Sequence, residues 1–389
     1  MWYHNIRTDD YGESRITTDT VNMRTNDRDE KNNSVTWRPM AGLLRRIRLI
    51  PVCVLAGILL SGCGGEQVSY TKQGMEAVEA LEYNEALNCF KNGQEQGEDE
   101  RLIYRGMGLA YMGLTQYEDA IVYLEAALHA GSGMVGDVDF DINYYLATAY
   151  YKNGQAQDAI DAYSAILALR PREKDAFYLR GCVKLSLDDF EGAQADFDEA
   201  VALDGKNYDQ MIRIYMALEE YGYKDAGLTY LQNALSENEK SISDYDMGRI
   251  CYYMGDYENA RNRLTNLKTE TDYGAALYLG RTYEALGDYN YASSIYAGYT
   301  ENDQSKAEIY NQLGLCRMQM GEYEAALEAF QAAMNIEDNG MLQTLKFNEI
   351  VTYEYMRDYK TAAALMNSYL RSYPDDTTAK REYEFLQTR

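Results

Sequence analysis

The chain has 389 residues, with 62 acidic and 37 basic side chains and a formal net charge of -25. Its apolar fraction of 46% and charged fraction of 25% are those of a folded protein, and four prolines among 30 glycines exclude collagen-like and proline-rich classes. The acidity argues against nucleic acid, which needs a basic footprint. Two histidines, His4 and His129, are too few for a His-rich metal site or a His relay, and six cysteines without CxxC spacing exclude a zinc ribbon.

Residues 1–39 are polar, with six basic and seven acidic side chains and both tryptophans, Trp2 and Trp37. They read as a disordered extension, or as a stretch upstream of a true start at Met40. Residues 40–62 read as a signal peptide. Arg45, Arg46 and Arg48 precede an apolar run of 12 residues, Leu49 to Leu60. That run is too short to cross a hydrocarbon core of roughly 30 Å as a helix. It closes on Leu60-Ser61-Gly62-Cys63. This resembles the bacterial lipobox, which implies cleavage before Cys63 and a lipid on its sulfur. The alternative is an uncleaved signal anchor. Both readings place the rest of the chain outside the cytoplasm, since the arginines stay inside. Residues 1–62 hold nine basic and seven acidic side chains, leaving 28 and 55 for the remainder. Such a surface is repelled by anionic lipid heads, so a membrane contact rests on the lipid anchor.

From residue 67 onward one pattern repeats. A Gly-Asp-Tyr-like triplet precedes an alanine at Ala86, Ala120, Ala159, Ala193, Ala226, Ala260, Ala292, Ala326 and Ala362. The spacings are 34, 39, 34, 33, 34, 32, 34 and 36. Twelve residues before the alanine stands a small residue: Gly74, Gly108, Ala147, Gly181, Gly248, Gly280 or Gly314. Four after it stands a bulky one, from Phe90 to Met366. Pro171 and Pro374 fall twelve after it. Two positions depart: Ile214 and Ile350 occupy the small place. In the fifth unit Leu231 and Ala234 also lie one residue late.

A period near 34 with these residues resembles the tetratricopeptide repeat. The resemblance implies an all-α, right-handed superhelical solenoid of about nine tandem helix pairs over residues 67–375, with a C-terminal capping helix in 376–389. Small residues let paired helices approach, glycine suits the left-handed turn between them, and proline ends the second helix.

Little in the solenoid reads as chemistry. Cys89, Cys182, Cys251 and Cys316 sit in units that do not adjoin, which excludes internal disulfides, so they read as small core residues. Asp137, Asp139 and Asp141 begin like a calcium loop, but the mid-loop glycine and twelfth-place glutamate are missing, so a solvated acidic loop is expected. No nucleophile elbow, phosphate loop or metal constellation is evident, and neither an enzyme nor a cofactor is expected.

The resemblance instead implies a scaffold whose concave face, lined by the first helix of each unit, holds proteins or peptides. Counting back from the alanines gives groove candidates Tyr144, Tyr151, Tyr178, Tyr215, Tyr245, Arg249, Tyr252 and Arg281, with Tyr278 flanking. Tyrosine offers a rigid ring and a hydroxyl to a partner, or simply replaces phenylalanine at half-buried positions. Arg249 and Arg281 clamp an acidic group of a partner, or Arg281 is neutralised internally by Glu284. The reading is a lipid-anchored extracytoplasmic adaptor at the cell membrane. The alternatives are an assembly factor for pili or outer-membrane complexes, or a lipoprotein that binds glycans or small ligands.

Overall fold

The computed structural model describes residues 69–389 except 132, 134, 239, 240 and 338, and the side chains of 237 and 238. The N-terminal extension, the signal segment and Cys63 lie outside the described residues. Among the described residues there are nineteen helices and no strand. The chain divides into two compact units, one ending at Lys224 and one beginning at Asp225.

The first unit holds α1 (Tyr70–Glu79), α2 (Tyr83–Glu95), α3 (Glu100–Gly113), α4 (Tyr117–His129), α5 (Asp137–Lys152), α6 (Ala156–Leu169), α7 (Lys174–Leu185), α8 (Phe190–Leu203) and α9 (Tyr208–Glu220). Then come α10 (Lys224–Asn238), α11 (Asp244–Tyr253), α12 (Tyr257–Leu264), α13 (Tyr273–Ala285), α14 (Tyr289–Asn302), α15 (Ala307–Gln319), α16 (Tyr323–Met334), α17 (Leu342–Tyr355), α18 (Tyr359–Ser372) and α19 (Thr377–Leu386). In the second unit successive helices from α11 to α19 pack one on the next.

Eight of the nine anchor alanines are fully buried, and so are Phe90, Leu124, Phe197, Leu264, Tyr296, Phe330 and Met366 four residues later. The fifth anchor needs a correction. Ala226 is half-buried, while Gly227 is buried, and Leu231 and Ala234 beyond it are in the core. Gly227 therefore does the work of the anchor, and the unit is shifted by one residue.

The turns explain the triplet. Five residues before each true anchor the backbone is left-handed: at Leu81, Thr115, Gly154, Asp188, Gly222, Gly255, Gly287, Gly321 and Arg357. Around Gly255 the amide of Gly255 bonds to the Tyr252 carbonyl and that of Asp256 to the Cys251 carbonyl, closing α11. The following aspartate then opens the second helix. Asp256, Asp288 and Asp358 accept the amides of Asn259, Tyr291 and Thr361 through their side chains.

Where the expected residue is missing, another fills the space. Tyr369 stands where alanine is usual. It is buried against Phe347 at 5.8 Å, and its hydroxyl donates to Asp376 at the head of α19.

Candidate partner-binding site

In the second unit, Tyr245, Arg249 and Tyr252 lie at helical spacing on one face of α11, and Tyr278 and Arg281 come from α13. The structure brings these five together, and all are half-buried. The Arg249 guanidinium lies 5.0 Å from the Tyr245 ring centre and 5.2 Å from that of Tyr278. Tyr278 meets Tyr245 edge-on at 6.2 Å and Tyr252 edge-on at 5.9 Å. Tyr253, not foreseen as a site residue, joins them: its hydroxyl is 3.1 Å from that of Tyr278. Its signal in the sequence was its place beside Tyr252, seven before the anchor. Burial pushes the Tyr252 and Tyr253 phenols above their ordinary pKa, so both are neutral and can donate or accept.

The two arginines are held by carboxylates. Arg249 is 3.6 Å from Asp246 one turn earlier. Arg281 reaches Glu308 on α15 at 2.8 Å, and Glu308 also accepts from the Tyr273 hydroxyl. This corrects the expected pairing with Glu284. That residue instead turns into the core, where it accepts from the Tyr296 hydroxyl and the Cys316 thiol. Burial raises the Glu284 pKa, and the Arg281 charge and those two donors oppose the rise. The arginines therefore fix the site as much as they offer it to a partner.

The remaining candidates sit in the first unit, and three are core residues rather than groove residues. Tyr144 is 5% exposed and meets Tyr163 edge-on at 6.1 Å. Tyr178 is 4% exposed, against Phe197 and beneath the Arg213 guanidinium at 4.5 Å. Tyr215 is 2% exposed. Burial pushes its phenol up to about 12. Tyr151 is half-buried.

The three acids that resembled a calcium loop start α5 instead, and each meets an arginine. Arg101 and Arg105 of α3 reach Asp139 and Asp141, and Arg170 reaches Asp137. Asp139 also accepts the Gly136 amide. Asp137 is 95% exposed, a solvated acid as expected, whereas the side chains of Asp139 and Asp141 are 15% and 14% exposed and cross-link α5 to α3 of the neighbouring pair. Among the described residues no group of three or more His, Cys, Asp or Glu could hold a metal ion. Cys89, Cys182, Cys251 and Cys316 are buried free thiols. No helix among the described residues is long and apolar enough to cross a membrane.

Two sequence families, both described as tetratricopeptide repeat, match the chain: one over residues 105–174 and 144–209, the other over 307–339. The chain carries tetratricopeptide repeats. Three solved structures show the degree of likeness. A tetratricopeptide repeat protein from Parabacteroides merdae is 15% identical, with a TM-score of 0.40 over 72% of this chain and 97% of its own. The protein TTC0263 of Thermus thermophilus, also a tetratricopeptide repeat protein, is 22% identical, with a TM-score of 0.38 over 47% of this chain and 100% of its own. Yeast Tom70 is 14% identical, with a TM-score of 0.48 over 77% of this chain and 67% of its own. No curated protein matches the chain.

Proposed function

We propose that this tetratricopeptide repeat chain is a lipid-anchored scaffold on the extracytoplasmic side of a bacterial membrane, and that it holds a protein or peptide segment at the tyrosine–arginine cluster of α11 and α13. The observation that carries the binding reading is that cluster: Tyr245 and Tyr278 against Arg249, with Tyr252 and Tyr253 packed on Tyr278, the rings half-buried and the Arg249 side chain 12% exposed, in a repeat array whose other ring-bearing candidates are mostly packed away. Tyrosine rings give contact area at little entropy, and a held guanidinium is ready to meet a carboxylate or a backbone carbonyl. The anchor reading rests on Arg45, Arg46, Arg48, the apolar run and Leu60-Ser61-Gly62-Cys63. Binding rather than catalysis fits a chain whose recognised families are both repeats.

The test joins the two parts. Cys63→Ser should move the chain from the membrane to the soluble fraction, because two acyl chains hold a protein firmly and none holds it at all. That soluble chain should capture a protein from envelope extract. Tyr252→Ala should abolish capture while leaving helicity unchanged. A mutant chain that is cleaved at the signal and still stays as membrane-bound as wild type defeats the anchor reading. Capture of a glycan, or capture unaffected by Tyr252→Ala, defeats the site reading.

A further inference from the structure

The first turn of α1 is held by a side chain from outside the helix. The opening amides of a helix have no partner within it. In α1 they are met from two sources. Ser69 accepts the Lys72 amide at 3.2 Å, and Glu98, between α2 and α3, accepts those of Tyr70 and Thr71, each at 2.8 Å. The Thr71 hydroxyl donates to the same carboxylate at 2.5 Å. The turn that ends α2 places this side chain: Gly97 is left-handed at φ 71°, and the Glu98 amide bonds to the Gly93 carbonyl at 3.0 Å. A carboxylate suits the place, because the positive end of the helix dipole meets it there. Apolar packing of α1 is thin. Gly74 and Ala77 are its buried residues, with Met75 and Val78 half-buried against the core of the first pairs.

We propose that Glu98 is an acid-sensitive clasp on α1, and that protonating it lets this helix come away from the rest of the first unit. A neutral carboxyl loses the charge that strengthens all three bonds, and its proton competes for one of the two acceptor oxygens. The Thr71 hydroxyl and amide hold the Glu98 carboxyl below its ordinary pKa, against the burial that pushes it up. The other charged groups of the surrounding elements are engaged or exposed elsewhere. Lys72 and Glu76 of α1 pair with each other at 4.0 Å, and Glu79 is exposed. Lys91 and Glu95 of α2 are exposed. Asp99 accepts the Leu102 amide at the start of α3, Glu100 is exposed, and Arg101 and Arg105 reach Asp139 and Asp141. One consequence rests on the lipid-anchor reading, although the clasp does not. On that reading α1 is the first described helix after Cys63. Its release adds residues 69–82 to the chain between the lipid and the array, up to about 45 Å when extended. Acid then lengthens the tether of the scaffold without detaching it.

The sign follows from proton linkage. Glu98 ionises more readily with α1 docked than with it released. The clasp therefore contributes fully above the ordinary Glu pKa of about 4.3, and its contribution is lost as pH falls below that value. Hydrogen exchange of the full chain, corrected for the intrinsic rate, reads this as the protection of residues 70–79 relative to that of α6. The ratio should be level from about pH 7 to about pH 5 and fall below about pH 4.3, by up to about tenfold per pH unit for one proton. Glu98→Gln keeps the shape but offers one acceptor oxygen and no charge. Its ratio should already be low at about pH 6 and stay level in acid. Thr71→Val keeps the branched shape and removes the hydroxyl alone, so its acid fall should be smaller than that of wild type. It decides the matter if Glu98→Gln fails to fold. These readings need no lipid on Cys63, so the clasp and the anchor fail separately. A wild-type ratio level down to about pH 3, an acid fall that persists in Glu98→Gln, or one undiminished in Thr71→Val overturns the proposal.

Discussion

Gly280 on α13 lies against the ring of Tyr296 on α14, so that a Cβ on the glycine would stand 2.2 Å from Tyr296 Cζ. The two residues are sixteen apart. The same contact recurs between Gly74 and Phe90, Gly108 and Leu124, Gly181 and Phe197, Gly248 and Leu264, and Gly314 and Phe330. The 34-residue period is thus held by a small residue receiving a bulky one.

Gly280→Ala tests this relationship. Tyr296 is fully buried and its hydroxyl is tied to Glu284, so the ring cannot swing aside. The added methyl should cost about 1–3 kcal/mol as overpacking. Repeat arrays respond locally, so hydrogen exchange should quicken in α11 to α16 and little elsewhere in the second unit. Uniform loosening of that unit would contradict the pairwise contact.

Arg281→Met should leave Glu308 with its negative charge and without its cation. The two side chains are 10% and 16% exposed, so water compensates little. A loss of about 1–3 kcal/mol in chemical unfolding is expected. Glu308→Gln alone should also destabilise, and the double variant should lose less than the two single losses combined. Additive losses would mean that the pair contributes nothing as a pair.

The fold was legible because its determinants are local and periodic. Alanine, glycine and a ring at fixed offsets describe one contact surface, and each unit restates it. What escaped the sequence depends on neighbours outside that period. One inserted residue before Gly227 put the count back to Tyr215 out of step, and Tyr215 is a core residue. The partner of Arg281 is 27 residues away in the next pair, where no intrahelical rule points. Tyr144 and Tyr178 have the spacing of an exposed stripe, yet Tyr163 and Arg213 from adjoining helices cover them. Tyr245, at the equivalent place, is half-buried, with its hydroxyl end against Gly274, where a side chain would leave it no room.

Acid should loosen the first unit at the start of α5. The Arg101 guanidinium and the Gly136 amide hold the Asp139 carboxyl below its ordinary pKa, and they outweigh the burial that pushes it up. A lowered pKa contributes stability above the ordinary Asp value near 3.9, and that contribution is lost as pH falls below it. Asp139→Asn should weaken the unit at neutral pH by about 1–3 kcal/mol and reduce the acid dependence below about pH 4. Millimolar calcium should leave the melting temperature unchanged, since the three acids already hold arginines. A clear calcium-induced rise would restore the metal reading.

The left-handed turn residues offer a stabilising change. Five of the nine turns use glycine, but Leu81, Thr115, Asp188 and Arg357 adopt φ of 60°, 58°, 59° and 62° with side chains. The left-handed conformation costs an L-residue roughly 1–2 kcal/mol, because Cβ crowds the following carbonyl oxygen. Glycine escapes that strain but loses more entropy on folding, by roughly 0.5–1 kcal/mol. Strain exceeds the entropy term, so Thr115→Gly and Arg357→Gly should each stabilise by about 0.5–1 kcal/mol. Leu81 should respond similarly, since its side chain is 61% exposed and little packing is lost. Asp188 also precedes the Asp189 cap, which the change leaves intact. The reverse change, Gly255→Ala, has open space for its methyl, so any loss there isolates backbone strain from steric contact. Urea unfolding of Arg357→Gly and Gly255→Ala should therefore shift in opposite directions. Shifts of the same sign would show that the turn geometry is not what limits the stability of these pairs.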